Sequence, residues 1–229
     1  MTWTKAFPGF RLDPIAKGAP DALVVLLHEP AATDATLTNV ASCWAPMMPT
    51  TAFIAVERNG AFALPDDGFD SSAGTDPRAR LITLDHAARR LETLIRQHAR
   101  TFGIEARRLV LAGFGSGGTL ALWLSMREAW HGAGVLAIGA RLALPFPQPR
   151  ADAGKIRLIE CLPGKGGSSN ALPDAVALFR ARGIDVRGAV LTASCLSDDA
   201  VRHGGAYLAE LVATAQQGVR ARPGQEDPT

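Results

Sequence analysis

A chain of 229 residues, 47% hydrophobic and 20% charged, is long enough to bury the core of one α/β domain and polar enough to be globular. Its 24 basic and 22 acidic residues leave a net charge of +2, too small an excess for a nucleic-acid surface, and Tyr207 as the one tyrosine supplies no base-stacking face. Three cysteines without a C-x-x-C pair, Cys43, Cys161 and Cys195, argue against a disulfide framework and for free thiols in a reducing cytoplasm.

The first ten residues, MTWTKAFPGF, carry no apolar run of signal-peptide length, and no later segment reaches the length of a membrane span. Residues 1–20, rich in Pro, Gly and Ala, predict a short edge strand or hairpin that feeds a core strand over 22–27. Residues 33–48 read as a helix broken near Pro46, and 52–56 as the next buried strand. From 57 to 80 the composition turns to Asn, Gly, Pro, Asp and Ser, a loop long enough for a pocket rim or a flap. The clearest amphipathic helix covers 81–102: Leu84, Ala88, Leu91, Ile95 and Ala99 share one face, Arg89, Arg90, Arg96 and Arg100 fall mostly elsewhere, and Gly103 ends it.

Residues 108–112 predict a buried strand, 113–118 a glycine-tight turn, and Leu120, Leu122, Trp123 and Leu124 a helix apolar on most sides. A strand over 134–140, a Pro-rich loop to 154 and a strand over 156–161 follow. The segment PGKGGSS at 163–169 suggests a phosphate loop, but Gly166 follows Lys165, so the G-K-[ST] order fails and a polar loop is the better reading. A helix over 170–182 closed by Gly183, a strand over 185–193 and a last helix over 200–217 complete the domain, with 218–229 expected to be a disordered tail. Strands alternating with helices predict one α/β domain over 1–217: a mainly parallel sheet, helices on both faces, and a site at the carboxyl ends of the strands.

The turn GFGSGG at 113–118 is where chemistry would sit. Two chemistries use a strand that turns sharply into a helix. A nucleophile elbow, G-x-S-x-G, places a serine at the apex, where this chain has Gly115. A glycine-rich anion cradle, G-x-G-x-x-G, is satisfied by Gly113, Gly115 and Gly118, a weak match by itself. Nucleotide binding is disfavoured because the next strand ends IGAR at 138–141, with no acidic partner for a ribose.

In order and spacing, LVVLLHE at 23–29, VASCWAP at 40–46, AFIAV at 52–56, GFGSGG at 113–118 and AGVLAIG at 133–139 resemble the phospholipase/carboxylesterase group of α/β-hydrolases. That group includes bacterial carboxylesterases and acyl-protein thioesterases, and the resemblance runs from about Phe10 to Val212. It implies the α/β-hydrolase fold and, as one option, self-association into a homodimer. The N–H groups at Ser116 and Gly117 favour a small acyl or anionic ligand, and the His, Cys, Asp and Glu residues show no metal-ligand spacing, so no metal and no cofactor are expected. The resemblance also implies a Ser-Asp-His triad, and here the chain departs from the pattern. Gly115 stands at the serine position, Gly164 near the aspartate position, and the loop 194–199, which ends at Asp199, has no histidine. The early H-G-x-G oxyanion loop is replaced by His28-Glu29-Pro30-Ala31, with a proline that lacks an N–H and an acid where negative charge would develop. The expectation is a carboxylesterase-like scaffold without its triad, serving binding, regulation or interaction; the alternative is an active ester or thioester hydrolase with Ser116 or a cysteine as nucleophile.

The rim residues each have a plain structural reading beside the functional one. Ser116 is a helix cap or a displaced nucleophile; His28 is a strand-end structural histidine or a base. Asp198 and Asp199 suit the start of a helix whether or not they pair with His28. Glu160, where the family has a histidine, reads as solvated, and Cys161 and Cys195 as small packing residues or reactive thiols. His203 falls inside the last helix and is expected to face solvent. With Gly117 and Glu29, the residues Ser116, His28, Glu160 and Asp198 are the candidate ligand contacts.

Overall fold

Two short strands, β1 (Trp3–Ala6) and β2 (Gly9–Leu12), pair antiparallel as the expected hairpin, and β2 in turn pairs antiparallel with β4 (Thr51–Val56). The rest of the sheet is parallel: β3 (Ala22–Leu27), β4, β5 (Leu109–Phe114), β6 (Gly134–Ile138), β7 (Lys155–Cys161) and β8 (Val186–Leu191). The computed structural model describes residues 3–6, 9–28, 34–56, 77–141, 154–162 and 171–220. Strand order is β1-β2-β4-β3-β5-β6-β7-β8. The chain steps from β3 outward to β4 and then crosses back to β5, so the order reverses between β3 and β5. In an open parallel sheet that reversal leaves a crevice at the carboxyl ends of the two strands.

Every residue of β3, β4, β5 and β6 is buried, which is why these segments read as continuous apolar runs and not as alternating ones. One face packs on α2 (Pro77–Phe102), α3 (Ser116–Ser125) and α4 (Ala171–Arg180), through Leu84, Leu91, Ile95, Leu120, Leu124 and Phe179. The other packs on α1 (Asp34–Trp44) and α5 (Asp198–Arg220). There Trp44 stacks on Phe114 at 5.8 Å between ring centroids and its Nε1–H donates to Val201 O at 2.7 Å, tying α1, β5 and α5 together. The α/β-hydrolase architecture expected from the sequence is therefore present, as one domain.

Several boundaries differ from expectation, each for a local reason. Helix α2 starts at Pro77, not 81, because proline is preorganised for a first helical turn and needs no N–H there. After Trp44 a single 3-10 turn over Ala45–Met47 holds Pro46, and another over Ala106–Arg108 precedes β5, so Arg108 is outside the strand. Strand β6 ends at Ile138, where Gly139 takes a φ of 65°. Helix α4 ends at Arg180, not 182, and Gly183 at φ 77° follows it; its expected first residue, Asn170, lies outside the described residues. β8 covers only 186–191, and α5 runs from Asp198 to Arg220, into the stretch expected to be tail. The flap over 57–76, the polar loop over 163–169 and the remainder of the tail lie outside the described residues.

Arg157 is a feature that the apolar reading of 156–161 misses. It is fully buried in β7, and its guanidinium meets Asp185 Oδ1 at 3.0 Å and Glu210 Oε1 at 2.7 Å. These hydrogen bonds hold both carboxyls below their ordinary range despite partial burial. A smaller network couples α2 to the end of α3: Asp85 and Glu92 of α2 both pair with Arg127, and Asp85 also accepts from Arg89 at 2.8 Å.

Candidate functional site

The crevice between β3 and β5 is filled by the turn into α3. Gly115, at its apex, has φ 54° and ψ −122°, a backbone conformation that glycine enters freely and that costs a side-chain-bearing residue on the order of 1–3 kcal/mol. Its N–H donates to Ile138 O at 2.8 Å, and its carbonyl caps the helix through the Thr119 N–H at 3.1 Å. The turn thus has the form of a nucleophile elbow with no side chain at its tip.

Three neighbouring glycines allow that form. A Cβ on Gly113 would lie 2.4 Å from Gly117 O, one on Gly117 would lie 2.6 Å from the Leu27 carbonyl, and one on Gly118 2.9 Å from Gly113 O. Without those Cβ atoms, the first turn of α3 can lie directly on the ends of β3 and β5. Thr119 then accepts from the Arg141 N–H at 2.9 Å, fixing the chain that leaves β6.

The described rim places the candidate residues as follows. Ser116 is the first residue of α3 and half-buried. Gly117 behind it is buried, and a Cβ there would also come within 2.8 Å of His28 O. His28 directly follows β3 and is 9% exposed. Gly139 faces Cys195: a Cβ on it would be 2.9 Å from Cys195 Cβ and 3.8 Å from Gly115 N, so the loop after β8 closes against the elbow through small residues. Cys161 and Cys195 are half-buried, in no disulfide, and packed on the α1/α5 side of the core. Asp198 and Asp199 open α5 in exposed positions, and Asp199 pairs with Arg202 at 2.6 Å. Glu29 and Gly164 lie outside the described residues.

Glu160 corrects the sequence reading. The sequence predicts a solvated side chain, but the residue is half-buried and its Oε2 is closed to solvent with no hydrogen-bond partner among the described residues. Alternation along β7 explains this: Ile156 and Leu158 point to the α2/α3/α4 side, and Glu160 follows them at the carboxyl edge of the sheet.

All five histidines of the chain fall among the described residues. His86 and His98 are on α2, His131 precedes β6 at the opposite edge, and His203 is exposed on α5 with its Nδ1 2.9 Å from Asp199 O. His28 alone adjoins the elbow. Among the described residues no group of three or more His, Cys, Asp or Glu is arranged to hold a metal ion, and no helix is long and apolar enough to cross a membrane.

A family model described as Phospholipase/Carboxylesterase matches residues 15–162, from the lead into β3 to the end of β7. The chain belongs to the phospholipase/carboxylesterase family. Its fold is similar to that of esterase PE8, with a TM-score of 0.73 and 22% identity over 89% of this chain and 98% of that one. It is also similar to a phospholipase/carboxylesterase from Dyadobacter fermentans (TM-score 0.64, 18% identity, 86% and 93% covered) and to the Bacillus cereus carboxylesterase (0.66, 13%, 88% and 92%). A search of curated sequences finds no match. At these identities the structural likeness speaks for the fold. As a carboxylesterase-family scaffold the chain has its elbow in place, with glycine at the apex.

Proposed function

We propose that this member of the phospholipase/carboxylesterase family binds a small acyl or anionic ligand at its elbow without hydrolysing it, as a binding, regulatory or interaction protein that has lost the Ser-Asp-His triad. The observation that carries the reading is Gly115 at the apex, in the elbow conformation but with no nucleophilic atom. The placement of the histidines supports it, because a general base must reach the nucleophile and only His28 borders the turn. Glycine also relieves the strain a serine would carry there, so the scaffold persists without the chemistry.

Binding at this place rests on the first turn of α3. Its apex residue offers no side-chain cap and no acid sits in the first turn, so the leading N–H groups and the helix dipole favour a carboxylate, phosphate or acyl oxygen. A cytoplasmic location and a homodimer belong to the same reading, to be read by fractionation and light scattering.

The test is intact-mass labelling with a fluorophosphonate probe beside a short-chain acyl-ester assay. The expected result for the folded protein is no adduct and no turnover. A stoichiometric adduct on Ser116, with turnover lost in Ser116→Ala, would overturn the reading in favour of an esterase with a displaced nucleophile. Gly115→Ser alone is expected to give no triad-like turnover, since a nucleophile without an oriented base and acid stays weak. Efficient hydrolysis by that single variant would show that a base is already in place.

A further inference from the structure

The amino edge of the sheet, opposite the elbow, holds a pocket of about 240 Å³ between α2, the approach to β5 and the segment before β6. That is roughly the liquid volume of eight waters, small beside typical ligand sites of ~300–1,000 Å³. Its apolar wall consists of Ile95, Ala99, Ile104, Leu109 and Trp130. We propose that it is a binding site for a small amphipathic monocarboxylate, its apolar body against that wall and its carboxylate on Arg100.

Charge selects the occupant. Glu92, the acid at the pocket, is already closed: its Oε1 accepts from Arg96 at 2.7 Å and its Oε2 lies 3.5 Å from Arg127. Arg96 further donates to Ala129 O at 2.9 Å. Arg100 also lines the pocket and forms no ion pair or side-chain hydrogen bond among the described residues. Its place in the last turn of α2 suits the helix dipole but provides no carboxylate. His131, exposed beside it, adds a donor at the mouth and no negative charge. An anion therefore meets one uncompensated cation, whereas a cation would meet only a closed pair.

Trp130 is 3% exposed and gives the wall its ring surface; its Nε1–H, with no partner among the described residues, is closed to solvent and does not face the occupant. The pocket shares no residue with the elbow, so the proposal stands apart from the function proposed there.

The experiment is an NMR titration of the full-length ¹⁵N-labelled protein with hexanoate, with 1-hexanol as the uncharged control. Saturable shifts are expected at residues 95–109 and 129–131, with hexanol binding more weakly. Arg100→Gln is expected to weaken hexanoate by about tenfold or more while leaving hexanol unchanged, and Arg100→Lys to retain part of the affinity. Arg100 is exposed, so both variants keep the fold. Shifts confined to residues 113–119 and His28 would move the ligand to the elbow and overturn the proposal. So would absence of saturation, equal affinity for the two probes, or an Arg100→Gln protein that binds hexanoate as before.

Discussion

Gly113→Ala is expected to destabilise the protein by about 3 kcal/mol, near the upper end for adding one methyl group to a packed site. The added Cβ would lie 2.4 Å from Gly117 O, 2.5 Å from Gly117 C and 2.6 Å from Gly118 N, all backbone atoms of the first turn of α3. A side chain could rotate away, but backbone held by a helix cannot, so α3 must lift from β5 or the turn must open. For a chain of this size the expected fall in Tm is about 6–12 °C. The control is Gly103→Ala at the end of α2. There φ is +66° but nothing lies within 4 Å, so the expected cost is that of a left-handed residue alone, about 1–2 kcal/mol. Thermal or urea unfolding compares the two, and equal losses would mean that the glycines of the elbow serve backbone conformation and not close approach.

Local pattern makes the elbow legible, and tertiary placement decides what surrounds it. The buried strands and the glycine turn are readable because continuous apolar runs and a dense glycine cluster are properties of neighbouring residues. Helix α2 shows its apolar stripe, yet its first turn at Pro77 is hidden, because Asp76, Pro77 and the arginines after them look like loop composition until the helix is seen. Glu160 reads as solvated because a lone acid in sequence usually is; only the strand register shows it on the helix-covered face. The pocket at the amino edge has no sequence signature at all. Its residues come from α2, the lead into β5 and 129–131, and only the packing of α2 beside β5 brings them together. Arg157 is the avoidable omission, since a charge inside an apolar strand demands partners, even though those partners lie 28 and 53 residues away.

Those partners make Arg157 the second place where a single change should cost most. Arg157→Ala is expected to lower stability by about 2–4 kcal/mol, because it empties a fully buried site and removes the cation that Asp185 and Glu210 share. The carboxylates are 46% and 32% exposed, so they rehydrate in part, which keeps the loss below that of a fully buried orphan charge. Arg157→Met refills the space, and Lys155 at 3.7 Å from Asp185 and Arg187 at 3.3 Å from Glu210 still offset the two acids. Its cost is therefore expected near ~1 kcal/mol. Acid separates the charge contribution from the packing one. Both carboxyls are held below their ordinary values of 3.8 and 4.5, so the folded protein binds fewer protons than the unfolded chain in this range. Their stabilising contribution is complete above those values and is lost as pH falls through the lower folded-state values. In Arg157→Met the strongest cause of the shift is gone, so unfolding free energy measured from about pH 6 down to about pH 3 should fall less steeply than in the parent protein. An identical acid slope in the two proteins would mean that Arg157 is held in β7 by packing and backbone carbonyls, and that its two carboxylates contribute through solvent-facing pairs alone.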